Sequence, residues 1–213
     1  TFAKRQFKQL NSYLYQTLDF VTFSSILLTA GLAAVAPTFS VWFMGDAFSI
    51  TGRLIPVLAL VGPMIAWSTV LGSQYLVMTK KEHQFTISVT VGAIINVIVN
   101  IPLISLFGVM GAVIATVIAE FCITLVDIYY VRKAISDFKG FEGKWKYLVS
   151  GIITFIVVRV LNSSVPGTFP WLILQAVVCV ITYFIICFIQ RSSFSSVIIN
   201  SVQRYLRRDR TER

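Results

Sequence analysis

Glu120 and Asp127 stand seven residues apart in "GVMGAVIATVIAEFCITLVDIYYVRKA", Gly108 to Ala134, a run that is otherwise almost wholly apolar as far as Tyr130. On a helix that spacing is nearly two turns, so both acids point to one side, about 10 Å apart along the axis. A charged acid at a bilayer centre costs about 2.5–3.5 kcal/mol on insertion scales. Glu120, near the midpoint of the run, is therefore expected to face a protein interior or a water-filled cavity, where protonation can switch its charge. Asp127 lies nearer the end. Gly111, Ala115 and Ala119 form a neighbouring stripe of small residues, the kind that lets membrane helices approach closely. Ala112, Thr116, Glu120 and Thr124 form a second, more polar stripe. In the preceding run, "NVIVNIP" places Asn96 and Asn100 on one face. Such a pair glues helices together or lines a cavity, gluing being the default.

Other chemistry is sparse. His83 is the only histidine, so no histidine cluster for a metal or for catalysis can be built. Cys122, Cys179 and Cys187 lie inside apolar runs at spacings that fit no metal site, and read as small buried hydrophobes. No metal or cofactor is expected. Arg159 is either a substrate contact or a side chain snorkelling to the membrane interface.

The elements that must position these residues are membrane helices. The chain has 213 residues, 56% of them hydrophobic and 13% charged, with a mean hydropathy of +0.80. Soluble domains carry about twice that charge fraction. Six apolar segments can be marked: Asp19–Met44, Leu54–Met78, Phe85–Phe107, Val109–Val131, Trp145–Leu161 and Phe169–Ile189. Most are long enough to cross a hydrocarbon core of about 30 Å, and the fifth is the shortest. The expected fold is all-α, a polytopic bundle of about six transmembrane helices. Pro56 and Pro63, with Gly62 between them, predict a kink in the second segment, and Pro37 and Pro102 give the same signal elsewhere.

Charge orients the bundle. Lys4, Arg5 and Lys8 precede the first segment, Lys80 and Lys81 follow the second, and Arg132, Lys133, Lys139, Lys144 and Lys146 follow the fourth. Arg191, Arg204, Arg207, Arg208, Arg210 and Arg213 follow the sixth. Only Arg53 and Arg159, of the 18 basic residues, fall outside these alternate loops. Cytoplasmic loops collect Lys and Arg, so both termini are expected in the cytoplasm. The net charge of +9 is then topological and calls for no nucleic acid.

Residues 1–18 form a lead-in with Phe7, Leu10 and Leu14 at helical spacing, 19–190 form the transmembrane lobe, and 191–213 form a basic tail. Ile198, Val202 and Leu206 repeat the amphipathic spacing in that tail. Such flanks can lie on an anionic inner leaflet. The chain begins at Thr1, not Met, and shows no signal-peptide pattern, so it is expected to be the later part of something larger.

"GSQYLVMTKKEH" and "GAIINVIVNIPLISLFGVMGAVIATVIAE", with "PVLAL" and "APTFSVWFMGDAF" upstream, resemble the carboxy-terminal half of bacterial polysaccharide flippases. These belong to the multidrug/oligosaccharidyl-lipid/polysaccharide exporter superfamily. The resemblance covers about residues 20 to 135, and the last two helices match only in being there. It implies two six-helix lobes around a central cavity, this chain supplying the second lobe and an amino-terminal lobe being its missing partner. It implies transport of undecaprenyl-pyrophosphate-linked oligosaccharides across the bacterial cytoplasmic membrane by alternating access. Under it, Arg53, Lys80, Lys81 and Arg159 become candidate pyrophosphate contacts, and Glu120 and Asp127 candidate sites for a coupling proton or cation. The drug/cation antiporter branch would need an aromatic, acidic cavity instead. A peptidoglycan-precursor flippase is a third reading in the superfamily. A membrane-embedded transferase would need a His/Asp or Asp-rich site, which the sequence does not present, so an enzyme is not expected. A noncatalytic assembly subunit is the last alternative.

Overall fold

The computed structural model describes residues 2–162 and 169–192, with side-chain surroundings for 9–161 and 169–192. Phe7 of the lead-in and the amphipathic positions Ile198, Val202 and Leu206 lie outside the described side chains, as does most of the basic tail.

Helix α1, Phe2–Met44, is continuous across position 18. At about 1.5 Å per residue its 43 residues reach about 65 Å. Leu14 and Leu18 are buried with Val70, Leu71, Tyr75, Leu76 and Val131, and Leu10 packs on the same cluster. This part of the lead-in stripe therefore covers the bundle, not a lipid leaflet.

The second segment is broken. It comprises α2, Thr51–Leu58, then α3, Val61–Ser68, then a π-helical stretch, Thr69–Val77. Pro63 has no N–H to offer the carbonyl of Ala59, four residues back. That carbonyl accepts instead from the Gly62 N–H at 3.0 Å and from the Thr29 hydroxyl of α1 at 2.9 Å. Further along, the Thr124 hydroxyl reaches in from another helix and donates to the carbonyl of Met64 at 3.1 Å. A side chain inserted into the backbone ladder is a recognised cause of local helix widening, and the π-helical stretch begins within a turn and a half.

Helices α4, Glu82–Phe107, and α5, Val109–Ala134, form a hairpin turning on Gly108, whose φ of +58° favours glycine. The small stripe closes it: Gly111 lies against the Leu103 backbone, and Gly92 faces Ile123 and the Ala119 carbonyl. Gly111, Ala115 and Ala119 are all buried. Helix α6, Trp145–Asn162, and helix α7, Phe169–Ile189, complete the bundle. Helix α1 and the broken segment occupy its middle. The hairpin packs on one side through α5, and α6 and α7 pack on the other against α1.

Among the described residues, Gln9–Met44, Thr51–Val77, Glu82–Phe107, Val109–Ala134 and Phe169–Ile189 are long and apolar enough to cross a membrane. Helix α6 has 18 residues, among them Lys146 and Arg159, and is the sixth long helix of the bundle. Large apolar side chains such as Ile98, Ile101 and Leu106 point outward, as lipid contact requires. The protein is an all-α, multi-pass membrane protein.

At one end, two helices stop in the same way. The Lys80 N–H bonds the Val77 carbonyl and the Lys81 N–H bonds Leu76, with Lys80 at φ +60°. The Arg191 N–H bonds Phe188 and the Ser192 N–H bonds Cys187, with Arg191 at φ +46°. Both are Schellman terminations carrying a cation where glycine is usual. We call this the basic end.

Candidate functional site

The two acids of α5 have separate surroundings. Asp127 is fully buried, and its Oδ2 accepts the Ser68 hydroxyl at 2.6 Å where α3 passes into the π-helical stretch. The fully buried Ser88 of α4 also lies against the carboxyl group, with its own proton given to the Gln84 carbonyl at 3.1 Å, so Oδ1 is left without a donor of good geometry. Gly72, one turn beyond Ser68, leaves room for the carboxylate: a Cβ there would sit 3.0 Å from Oδ2. Glu120 is half-buried, and its carboxylate has no hydrogen bond or ion pair among the described residues. Between them Thr124 is buried, its one hydroxyl proton shared between the Met64 carbonyl at 3.1 Å and the Glu120 carbonyl of its own helix at 2.9 Å. The broken segment thus runs beside the acid face of α5.

Asn96 and Asn100 bond each other: the Asn100 amide donates to Asn96 Oδ1 at 2.6 Å. No hydrogen bond from either to another helix of this lobe is present among the described residues. Asn100 Oδ1 is buried without a partner. A side-chain pair four apart on one helix satisfies itself first, because that neighbour is always within reach.

The cations fall at opposite ends. Arg53 and Arg159, 106 positions apart in the chain by their numbers, line one groove of about 450 Å³ with Ser49, Gly52, Pro56 and Phe155. Lys80 is exposed at the basic end, and Lys81 lines a different pocket there.

Two lysines counted as loop charges prove to be built into the bundle. Lys144 is 7% exposed and pairs with Asp19 Oδ1 at 3.0 Å, while the Tyr147 hydroxyl donates to Asp19 Oδ2 at 2.9 Å. Burial pushes the Lys144 ammonium below its ordinary lysine range, partly offset by Asp19. Lys146 donates to the carbonyls of Gln190 at 3.0 Å and Arg191 at 3.2 Å, capping the end of α7. Asp19 is the residue that sequence reasoning passed over. Its signal is an acid inside the stretch that becomes a single long helix.

No family model matches the chain. Over 107 residues, 50% of the chain, it is 27% identical to the "Putative O-antigen transporter" of Shigella dysenteriae, which it covers for 27% of that protein's length. Over 95 residues, 44% of the chain, it is 33% identical to an uncharacterized membrane protein of Methanocaldococcus jannaschii, covering 18% of it. In fold it is similar to the lipid II flippase MurJ in an inward closed conformation, with a TM-score of 0.75 over 90% of this chain and 40% of that one. Identity there is 20%, so the likeness is one of fold. The chain spans less than half the length of each of these proteins. In sequence and in fold together, the chain resembles lipid-linked oligosaccharide and polysaccharide flippases of the multidrug/oligosaccharidyl-lipid/polysaccharide exporter superfamily.

Proposed function

We propose that the chain is the carboxy-terminal lobe of a flippase that moves undecaprenyl-pyrophosphate-linked oligosaccharide repeat units across the bacterial cytoplasmic membrane for surface polysaccharide synthesis. The observation that carries this reading is the sequence match to the Shigella dysenteriae O-antigen transporter on a fold shared with part of a lipid II flippase. The partner is an amino-terminal lobe, and both termini lie in the cytoplasm. Broken membrane helices commonly mark substrate and ion sites in transporters, and the broken segment here borders Asp127 and Thr124. Asp127, fully buried beside the break between Ser68 and Ser88, is the coupling-ion residue of this reading, with Glu120 facing the pathway. Arg53 and Arg159 attract the pyrophosphate at the far end, as Lys81 does at the basic end.

The solved flippase's own substrate name favours a second reading, a peptidoglycan precursor as cargo. Deletion of the gene in its host separates them. Loss of surface polysaccharide, with lipid-linked repeat units accumulating on the inner leaflet, supports the first. Arrested wall synthesis with intact polysaccharide supports the second. Unchanged envelope chemistry with raised sensitivity to cationic drugs overturns both in favour of an antiporter.

A further inference from the structure

Three elements close over the carboxyl of Asp127, which is fully buried. From the broken segment, the Ser68 hydroxyl donates to Oδ2 at 2.6 Å, and Gly72 has no Cβ to crowd that oxygen. From α4, Ser88, itself fully buried, lies against the carboxyl. On α5 itself the nearest other acid is Glu120, nearly two turns away. No cation pairs with Asp127 among the described residues, whose ion pairs are Lys139–Glu142 and Lys144–Asp19. A buried carboxylate without a cation is costly, and such a group neutralises instead.

The serines show how. Ser88 has one proton and gives it to the Gln84 carbonyl at 3.1 Å, so towards Asp127 its oxygen has only lone pairs to offer. Oδ1 receives no donor. Two acceptor oxygens meeting in a dry core need a proton between them. That is the arrangement of a neutral acid, its Oδ1–H directed at Ser88. When the acid ionises, the Ser88 hydroxyl turns about its Cβ–Oγ bond and donates to the carboxylate, so the same oxygens serve both states. A metal ion is served poorly. Hard cations take about six oxygens, and both hydroxyls would have to turn their protons away. Among the described residues no group of three acids, histidines or cysteines could hold a metal.

We propose that Asp127 carries a proton in this structure, and that Ser88 is its positioning residue, accepting from the acid and donating to the carboxylate. The O–H bond forms on Oδ1, and breaks to water when the lobe opens at the break. The inference rests on the transport reading only for what the proton drives, and there it names the proton as the coupling ion. Ser68 stands where the helix changes its winding, so loss of the proton sets a charge against the break.

The test uses the full-length protein in detergent, titrated with pH and followed by infrared difference spectroscopy, with and without sodium. Melting temperature is the folding control. The wild type should show the carbonyl stretch of a protonated carboxylic acid, shifted in heavy water and indifferent to sodium. Asp127→Asn should remove that band, and Glu120→Gln should leave it. Ser88→Ala should displace the pH midpoint of the band by about one pH unit, the difference between a hydrogen bond to a charged and to a neutral group. Ser105→Ala, at an exposed serine of the same helix, should not. Absence of any band that depends on Asp127 overturns the proposal, as does a midpoint that moves with sodium concentration, which marks a cation site. A midpoint unmoved by Ser88→Ala overturns the role of Ser88. Flipping of a prenyl-pyrophosphoryl sugar in liposomes is read separately. The expected band with no flipping keeps the proton site and overturns the transport reading. The expected band with flipping indifferent to a pH gradient keeps the site and overturns its coupling to transport.

Discussion

The Ser68 hydroxyl donates to Asp127 Oδ2 at 2.6 Å, from a helix that changes its winding at that residue. Replacing Ser68 with Ala leaves a buried carboxylate oxygen short of its donor and should cost about 1–3 kcal/mol. Asp127→Asn keeps an acceptor for Ser68 at the same size, so its melting transition should stay within about 1 kcal/mol of wild type. Transport by Asp127→Asn should lose its dependence on the ion gradient. Retained gradient dependence would make Asp127 a packing group.

Lys144 and Asp19 should behave as a unit. Lys144→Met strands the Asp19 carboxylate in a nearly buried site and should cost about 3–5 kcal/mol, whereas Asp19→Leu with Lys144→Met together should cost less than either alone. A double-mutant cycle by thermal melting in detergent measures the coupling. The pH dependence has a definite sign. Folding lowers the Lys144 pKa from its ordinary 10.5, so the unfolded chain binds more protons in the window below 10.5. Stability therefore rises with pH through that window, and Lys144→Met should flatten the rise.

Gly111→Ala should loosen the α4–α5 hairpin. The added methyl meets the Leu103 backbone, which cannot swing aside as a side chain can. A loss of about 1–3 kcal/mol is expected, the range for overpacking. Gly92→Ala meets the Ile123 side chain, which is stiff about its branched Cβ but can still change rotamer as a backbone cannot, and should cost less. Equal costs would mean that the hairpin yields as a whole.

Lys80→Gly should stabilise the fold by about 1 kcal/mol, because its φ of +60° strains any residue with a Cβ. Lys80→Ala removes the same charge and keeps the strain, so it should not. Chemical denaturation of the pair separates backbone strain from charge.

Topology is checked by labelling single cysteines in a cysteine-free background. Asp137→Cys at the basic end should react with a cytoplasmic reagent, and Ser49→Cys at the opposite turn should be protected from it. The reverse pattern would invert the protein in the membrane.

Much of the helical plan is legible in the sequence because apolar runs meet charges or glycine at their ends. The end of α7 at Ile189 is read to the residue, and Phe107–Gly108 is marked by the only residue type at ease there. The start of α1 is not legible, since its first turns are polar and show their packed face only once Val70 and Val131 are placed beside them. Pro56 and Pro63 signal a disturbance. They do not say that Thr29 and Thr124, on other helices, supply the hydrogen bonds that let the segment break and widen. The Asp19–Lys144 pair spans 125 positions, and no periodicity along the chain reports such a meeting. Arg53 and Arg159 share a groove for the same hidden reason.

Helix α1 outruns the hydrocarbon core about twofold and has no break where it leaves it. Leu14 and Leu18 lock the overhang to Val70, Leu76 and Val131, so it cannot swivel by itself. It is a rigid lever fixed to the lobe. A tilt of the lobe by about 10° sweeps the far end of that lever through about 8 Å, given some 44 Å from the bilayer midplane at 1.5 Å per residue. A small rotation in the membrane is thereby geared into a large stroke in the water beyond it.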